Sequence, residues 1–369
     1  MKVVHTYATG DTGGPISKIN FYNMILSAYY ARRNYGGINL YGDTSAIKPL
    51  KDLGFEYLYD DIIQKSYHKH SLGAWSIPKV DTFASMTEPF LHIDTDTTFF
   101  KHIDFRSLNR HHANMFCYRD QPKDEFSDDN DGEILNKFMR GEYGYDAQAR
   151  TYLNYYFKYW EHWTPEFKNS FDINSIPNMN VVYAEDYELI AEASQLALDF
   201  FNSFKGRLEH DREAACFLEQ FLVHNYMREL DSDYKKASTA GHHVLFDNEP
   251  FRKWDMNNFG PVENYPCSVT YEAICNECTT THGKAIEINS EEEVDKLYDS
   301  DMGGFFHMTS NRDAPLMESY LLHQLERVIG TDRVVDIHKY FKPQIEKMQQ
   351  NPISAGELLY QKHKQANLF

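Results

Sequence analysis

Two aspartates separated by one threonine, Asp94 and Asp96, stand at the end of the apolar run PFLHI (residues 89–93). Carboxylates this close repel each other unless a cation or a proton lies between them. A hard divalent ion with oxygen ligands, Mg²⁺ or Mn²⁺, is the simplest resolution. Residues i and i+2 of a strand point the same way, so both side chains can approach one point. The plainer alternative is a strand end with two solvated aspartates, as an isolated D-x-D often is. Here the apolar approach and the order of the flanking elements favour the metal.

A second group of chemistry-bearing residues lies in CSVTYEAICNECTTTH (267–282). Cys275 and Cys278 have knuckle spacing, and Cys267 and His282 could complete a tetrahedral Cys₃His site for structural Zn²⁺. Four protein ligands would leave no open position, so such an ion would brace the chain rather than catalyse. Packing thiols explain the pattern equally without metal. Cys117 and Cys216 read as core residues, one in a strand and one in a helix.

The elements that must position Asp94 and Asp96 follow a β-α alternation. KVVHTYAT (2–9) reads as a first strand, and 16–34 as a helix stopped by Gly36-Gly37. INLYGD (38–43) is a second strand, AIKPLKDLG a short helix ending at Gly54, and FEYLYDDI (55–62) a third strand. A helix over 75–86, with Pro78 in its first turn, leads into the strand PFLHIDTD. NMFCYRD (114–120) is a further strand, and helical patterns occupy 146–160, 185–204 and 211–229. The interval 232–300 is irregular, MGGFFHMTSNRD (302–313) reads as a late strand and turn, and the remainder is helical. This order predicts an α/β fold with a mostly parallel sheet between layers of helix. Ligands of such sheets bind outside the carboxyl ends of the strands, where Asp94 and Asp96 fall.

At these residues the chain resembles the GT-A class of nucleotide-sugar-dependent glycosyltransferases. AWSIPKVDTFASMTEPFLHIDTDTTFFKHI (74–103) is similar to the segment of glycogenin-like enzymes in which a basic helix precedes the D-x-D strand. The resemblance implies a Rossmann-like GT-A domain over 1–313, including the irregular excursion, followed by a helical extension over 314–369. It implies that Asp94, Asp96 and His307 hold Mn²⁺ or Mg²⁺, and that Lys79 and Thr95 approach the donor. The first strand would bring Thr6, Tyr7 and Ala8 to the nucleotide. IPNMNVVYAEDYELI (176–190) is similar to the strand under the donor sugar, with Asn178 or Asn180 as the contact in place of the family's glycine. CFLEQFLVHNY (216–226) resembles the helix that carries an acidic residue followed by Gln. Glu219 is then the candidate catalytic carboxylate, with Asp211 and Glu213 as its competitors, and Gln220 a candidate donor contact. Asn311 and Arg312 would grip the pyrophosphate. A UDP-sugar is the favoured donor, and retention or inversion stays open.

The bulk properties bound these readings. With 37 Lys+Arg against 55 Asp+Glu the net charge is -18, which disfavours a broad nucleic-acid surface without excluding a modified DNA base as acceptor. A glycan, a protein or a small molecule fits equally. No apolar run reaches the ~20 residues of a membrane helix. An odd number of cysteines, 5, without a secretory signature points to the cytoplasm. Two other functions fit less well. A nucleotidyltransferase or phosphohydrolase would need a basic Gly-rich loop after the first strand, and GDTGGPISK (10–18) is a poor one. A non-catalytic nucleotide-sugar-binding protein would tolerate the altered NMN strand.

Overall fold

The computed structural model describes residues 1–9, 16–66, 75–100, 102, 115–119, 147–173, 176–208, 213–239, 268–270, 285–287, 305–307 and 315–350. Asp211, Cys267, Cys275, Cys278, His282, Asn311 and Arg312 lie outside these residues, so the zinc expectation and three of the site expectations fall outside them too.

The chain opens with β1 (Lys2–Tyr7), α1 (Lys18–Tyr35), β2 (Asn39–Gly42), α2 (Thr44–Asp52) and β3 (Asp61–Gln64). Then come α3 (Ile77–Ala84), β4 (Phe90–Ile93), β5 (Thr97–Phe99) and β6 (Met115–Arg119). Next are α4 (Ala147–Lys158), α5 (Pro165–Ser170), β7 (Pro177–Ala184), α6 (Tyr187–Ser203) and the short α7 (Lys205–Leu208). One long helical stretch follows: α8 (Glu213–Cys216), a π-helical segment (Phe217–Leu222) and α9 (Val223–Leu230). After α10 (Ser232–Thr239) and the strands β8 (Ser268–Thr270), β9 (Ala285–Glu287) and β10 (Phe305–His307), two helices, α11 (Pro315–Ile329) and α12 (Thr331–Gln350), complete the described chain. None of the helices among the described residues is long and apolar enough to cross a membrane.

The main sheet has the order β3-β2-β1-β4-β7-β6. β1, β2, β3 and β4 run parallel, and β7 is antiparallel to both β4 and β6. The expected α/β architecture with a mostly parallel sheet is therefore present. From β1 the chain winds outward through β2 to β3, then returns to place β4 on the other side of β1. The switch point of such a sheet, where ligands bind, thus lies at the carboxyl ends of β1 and β4.

Local signals account for most of these boundaries. Ser17 caps α1 by accepting from the Asn20 N–H at 3.2 Å, and Gly36 ends the helix at φ 85°, a left-handed conformation that glycine adopts freely. Asp43 caps α2 through Ser45 N–H at 2.9 Å and also receives Thr9 N–H at 3.1 Å, which ties the chain after β1 to the start of α2. The third strand lies later than the sequence pattern predicts. Glu56–Leu58 is a 3₁₀ turn, and the buried Phe55 and Leu58, three apart, follow its period rather than a strand's. Pairing with β2 begins only at Asp61.

Each face of the sheet carries its own core. On one face Val3, Leu40, Leu91 and Ile93 meet α1, and Leu321, Leu325, Val334, Ile337 and Phe341 of α11 and α12 join them. Phe21 and Phe341 lie 5.3 Å apart, and Tyr340 donates to Asp52 at 2.8 Å, so these C-terminal helices dock on the sheet domain. On the other face Val4, Phe90, Val182 and Ala184 meet α3, α4, α6 and the long helix of 213–230. Cys216 packs there, partly exposed.

Candidate functional site

The site sits at the switch point. Strand β4 ends at Ile93, and Asp94 to Thr97 form a turn closed by Thr97 N–H donating to the Asp94 carbonyl at 2.9 Å. The strand rule for residues i and i+2 therefore does not apply to Asp94 and Asp96. A turn holds them together instead, with Asp94 N–H fixed on the Asn180 carbonyl of β7 at 2.7 Å. Their mutual repulsion persists in this arrangement, because the Asp96 charge raises the Asp94 pKa.

Lys79 reaches this turn from α3. Its helix starts at Ile77 with Pro78 in the first turn, and Ser76 anchors that start by donating to the Ala215 carbonyl at 2.7 Å. The Lys79 ammonium, nearly buried, lies 2.7 and 2.9 Å from the two Asp94 oxygens. It also donates to Glu219 Oε1 at 2.6 Å and to the Met179 carbonyl at 3.0 Å. All three protons of the ammonium are thereby engaged by protein groups. Glu219 comes from the π-helical segment, a distortion of the helix that re-aims side chains and recurs at functional sites. Glu219 is 1% exposed, and its second oxygen, Oε2, has no hydrogen-bond partner.

Charge is unbalanced in this cluster, where Asp94 and Glu219 share one ammonium and the Asp96 charge acts on Asp94. Burial pushes the Asp94 pKa up and Lys79 pulls it down, but Asp96 and Glu219 add to burial, and the value reaches about 7. For Lys79, burial opposes the charge while Asp94 and Glu219 outweigh it and hold the pKa above the ordinary lysine range. The excess of anionic oxygen, together with the unpartnered Glu219 Oε2, fits a hard divalent cation in charge and in donor type. Asp94 and Asp96 are the residues that would supply such an ion. Among the described residues no group of three His, Cys, Asp or Glu side chains is arranged to hold one. His307 enters through backbone register alone: β10 pairs with β5 so that His307 lies opposite Thr97, next to the Asp94–Thr97 turn.

The remaining expected residues fall into two sets. Thr6, Tyr7 and Ala8 lie at the carboxyl end of β1 beside this turn, and Thr95 is buried within it. Asn180 is buried in β7, and the backbone of Asn178 pairs with Tyr118. Gln220 accepts from Tyr152 OH at 2.6 Å.

Two histidines that the sequence reading passed over stand beneath the site. His92 precedes Asp94 by two positions on β4 and is fully buried against Phe83. Its Nε2 is 3.3 Å from Thr6 Oγ1, Thr6 Oγ1 is 3.0 Å from Thr82 Oγ1, and Thr82 donates to the Pro78 carbonyl at 2.9 Å. Each hydroxyl has one proton, so the order is forced from its last member: Thr82 donates to Pro78, Thr6 to Thr82, and His92 Nε2–H to Thr6. The lone pair of His92 is then on Nδ1, which has no hydrogen-bond partner and lies 3.8 Å from Asp94 Oδ1. Burial, then the charge of Lys79, holds the His92 pKa well below the usual imidazole range, so the ring is neutral. The only signal in the sequence was its alternation with Asp94.

His5 forms the matching chain on the other face. Ser27 donates to the Thr97 carbonyl, so its oxygen receives His5 Nε2–H at 3.0 Å, and His5 Nδ1 accepts from Tyr59 OH at 3.1 Å. Burial lowers the His5 pKa to about 3.

Comparison with known proteins adds little to this geometry. Residues 2–128 match the sequence model of DUF6734, a family of unknown function. No curated protein matches the chain. A solved structure that aligns with it is the apo form of mouse xyloside xylosyltransferase 1, at 9% identity and a TM-score of 0.30, over 62% of this chain and 82% of that one. Similarity at that level carries no argument about the site.

Proposed function

We propose that the protein is a metal-dependent glycosyltransferase that moves a sugar from a nucleotide-diphosphate sugar, favoured as a UDP-sugar, to an acceptor. One observation carries the reading. The Asp94-Thr95-Asp96 turn, which brings two carboxylates together, lies at the switch point between β1 and β4, where sheets of this order bind nucleotides.

In this reading Asp94 and Asp96 hold Mn²⁺ or Mg²⁺, with His307 as the third ligand. When bound, the cation neutralises charge that develops on the leaving diphosphate. Thr6, Tyr7 and Ala8 line the nucleotide side of the crevice, and Thr95 and Asn180 are the buried polar residues nearest the donor. Asn178, Asn311 and Arg312 complete the donor contacts, Arg312 by charge. Lys79 holds Asp94 and Glu219 in place. Glu219, with one oxygen unpartnered, or Asp211 would be the carboxylate that accepts a hydrogen bond from a sugar hydroxyl or acts on the acceptor. Gln220, held by Tyr152, supports Glu219 from the next position.

The test is sugar release or transfer from a panel of nucleotide sugars, followed by mass spectrometry with Mn²⁺ and with chelator. Turnover of one donor that needs Mn²⁺ and disappears in Glu219→Gln supports the reading. Metal-dependent nucleotide binding with no turnover of any donor would leave a nucleotide-sugar-binding protein instead.

A further inference from the structure

The unpartnered nitrogen of His92 has a use that the static site does not display. A buried acceptor without a donor is unfavourable, and phenylalanine or leucine would fill the same volume without that cost. The chain His92–Thr6–Thr82–Pro78 nevertheless fixes the ring so that this nitrogen faces the carboxylate cluster. One atom, Asp94 Oδ1, lies 2.7 Å from the Lys79 ammonium and 3.8 Å from His92 Nδ1.

Lys79 takes both oxygens of Asp94, the first carboxylate a cation at this turn must recruit. Cation and ammonium therefore compete for it. An ammonium released from Asp94 keeps Glu219 and the Met179 carbonyl but has one proton without an acceptor. The acceptor already in place beside Asp94 Oδ1 is the lone pair of His92.

We propose that His92 is a positioning residue that receives the Lys79 ammonium when a divalent cation takes Asp94, so that cation binding and the Lys79 hand-over are one event. This rests on the reading of Asp94 as a cation ligand. No covalent bond changes: one N–H···O hydrogen bond becomes one N–H···N hydrogen bond. The consequence is a site in which Lys79 screens the carboxylates before the cation arrives and stays bound after it.

The experiment is Mn²⁺ titration of the full chain, followed by electron paramagnetic resonance and by the ¹⁵N resonances of labelled histidine. Three variants accompany the wild type. His92→Phe keeps the buried ring but has no acceptor, His92→Asn restores an acceptor oxygen near the Nδ1 position, and Lys79→Met removes the competitor. The expected result is Mn²⁺ binding weakened about tenfold in His92→Phe, as for loss of one hydrogen bond to a charged group, and recovered in His92→Asn. Lys79→Met, where folded by circular dichroism, binds Mn²⁺ more tightly than wild type. A diamagnetic Mg²⁺ titration moves the His92 Nδ1 resonance in wild type and leaves it unmoved in Lys79→Met. Equal Mn²⁺ affinity in wild type, His92→Phe and His92→Asn, with an unmoved Nδ1 resonance, overturns the hand-over alone. Absence of Mn²⁺ binding in every form, Lys79→Met included, overturns the cation reading on which it rests.

Discussion

The two buried histidines are built alike and end differently. Each is a neutral ring on a central strand, with Nε2–H donated to a hydroxyl whose own proton leads to a backbone carbonyl. On the α1 face, His5 is closed at both ends, because Tyr59 supplies a donor to Nδ1. On the α3 face, His92 is open, and its free nitrogen looks at Asp94. The closed chain fixes the backbone at Thr97, the last residue of the Asp94–Thr97 turn, and serves as framework. The open chain ends in the cluster where Asp94 and Glu219 share the Lys79 ammonium. The two rings therefore differ in one respect, whether Nδ1 meets a donor.

The largest effect is expected where the open side loses its ammonium. Lys79→Met leaves Asp94 and Glu219 buried without a counter-charge and should cost about 3–5 kcal/mol of stability in metal-free buffer, read by urea denaturation. Saturating Mn²⁺ should recover part of that loss. A cost below about 1 kcal/mol would mean that the triad is looser and wetter than its distances indicate.

Acid should act on both histidines in the same direction. The folded protein keeps His5 neutral down to about 3, whereas the unfolded chain protonates it near the ordinary imidazole value of 6.5. Between those values the unfolded state binds the extra proton, so stability rises with pH across the window and is lost as pH falls below 6.5. For His5 alone the full span amounts to about 3–5 kcal/mol. His92, lowered in the same sense, adds to the slope. Denaturation midpoints from pH 4 to 7 should be flatter in His5→Phe than in wild type.

The two rings should separate at neutral pH. His5→Phe strips Tyr59 OH of its acceptor and should cost about 1–3 kcal/mol. His92→Phe removes an acceptor that had no donor, and Thr6 keeps its bond to Thr82, so its cost in metal-free buffer should stay within about 1 kcal/mol. The reverse ranking would erase the distinction between a closed and an open chain.

Much of the framework was legible because its causes are local. Ser17, Gly36 and Asp43 mark helix ends by their own chemistry, and the alternation of β1 to β4 with α1 to α3 gave the sheet its class. The third strand was misplaced because Phe55 and Leu58 suit a 3₁₀ turn as well as a strand. Within the site, Asp94 and Asp96 announced themselves, although the turn that joins them looked like a strand end. Lys79 and Glu219 were visible singly, but their contact joins residues 140 positions apart and depends on a π-helical segment that no periodicity signals. The histidine chains were hidden for the same reason: His5 meets partners 22 and 54 positions away, and single hydroxyls such as Ser27 and Thr82 carry no pattern. The docking of α11 and α12 was open too, since Leu321, Leu325, Ile337 and Phe341 define an apolar helix face without naming what covers it.

The most direct measurement is thermal unfolding with Mn²⁺ and a panel of nucleotide diphosphates and nucleotide sugars, on wild type and Asp96→Ala. A ligand bound only by the native state stabilises it by ~2.7 kcal/mol at a hundred times its dissociation constant. A rise in melting temperature for one nucleotide, dependent on Mn²⁺ and absent in Asp96→Ala, is the expected result and would identify the base. No rise with any nucleotide, in a protein that melts cooperatively, would contradict a donor site at the Asp94–Thr97 turn and leave that turn as a capped strand end.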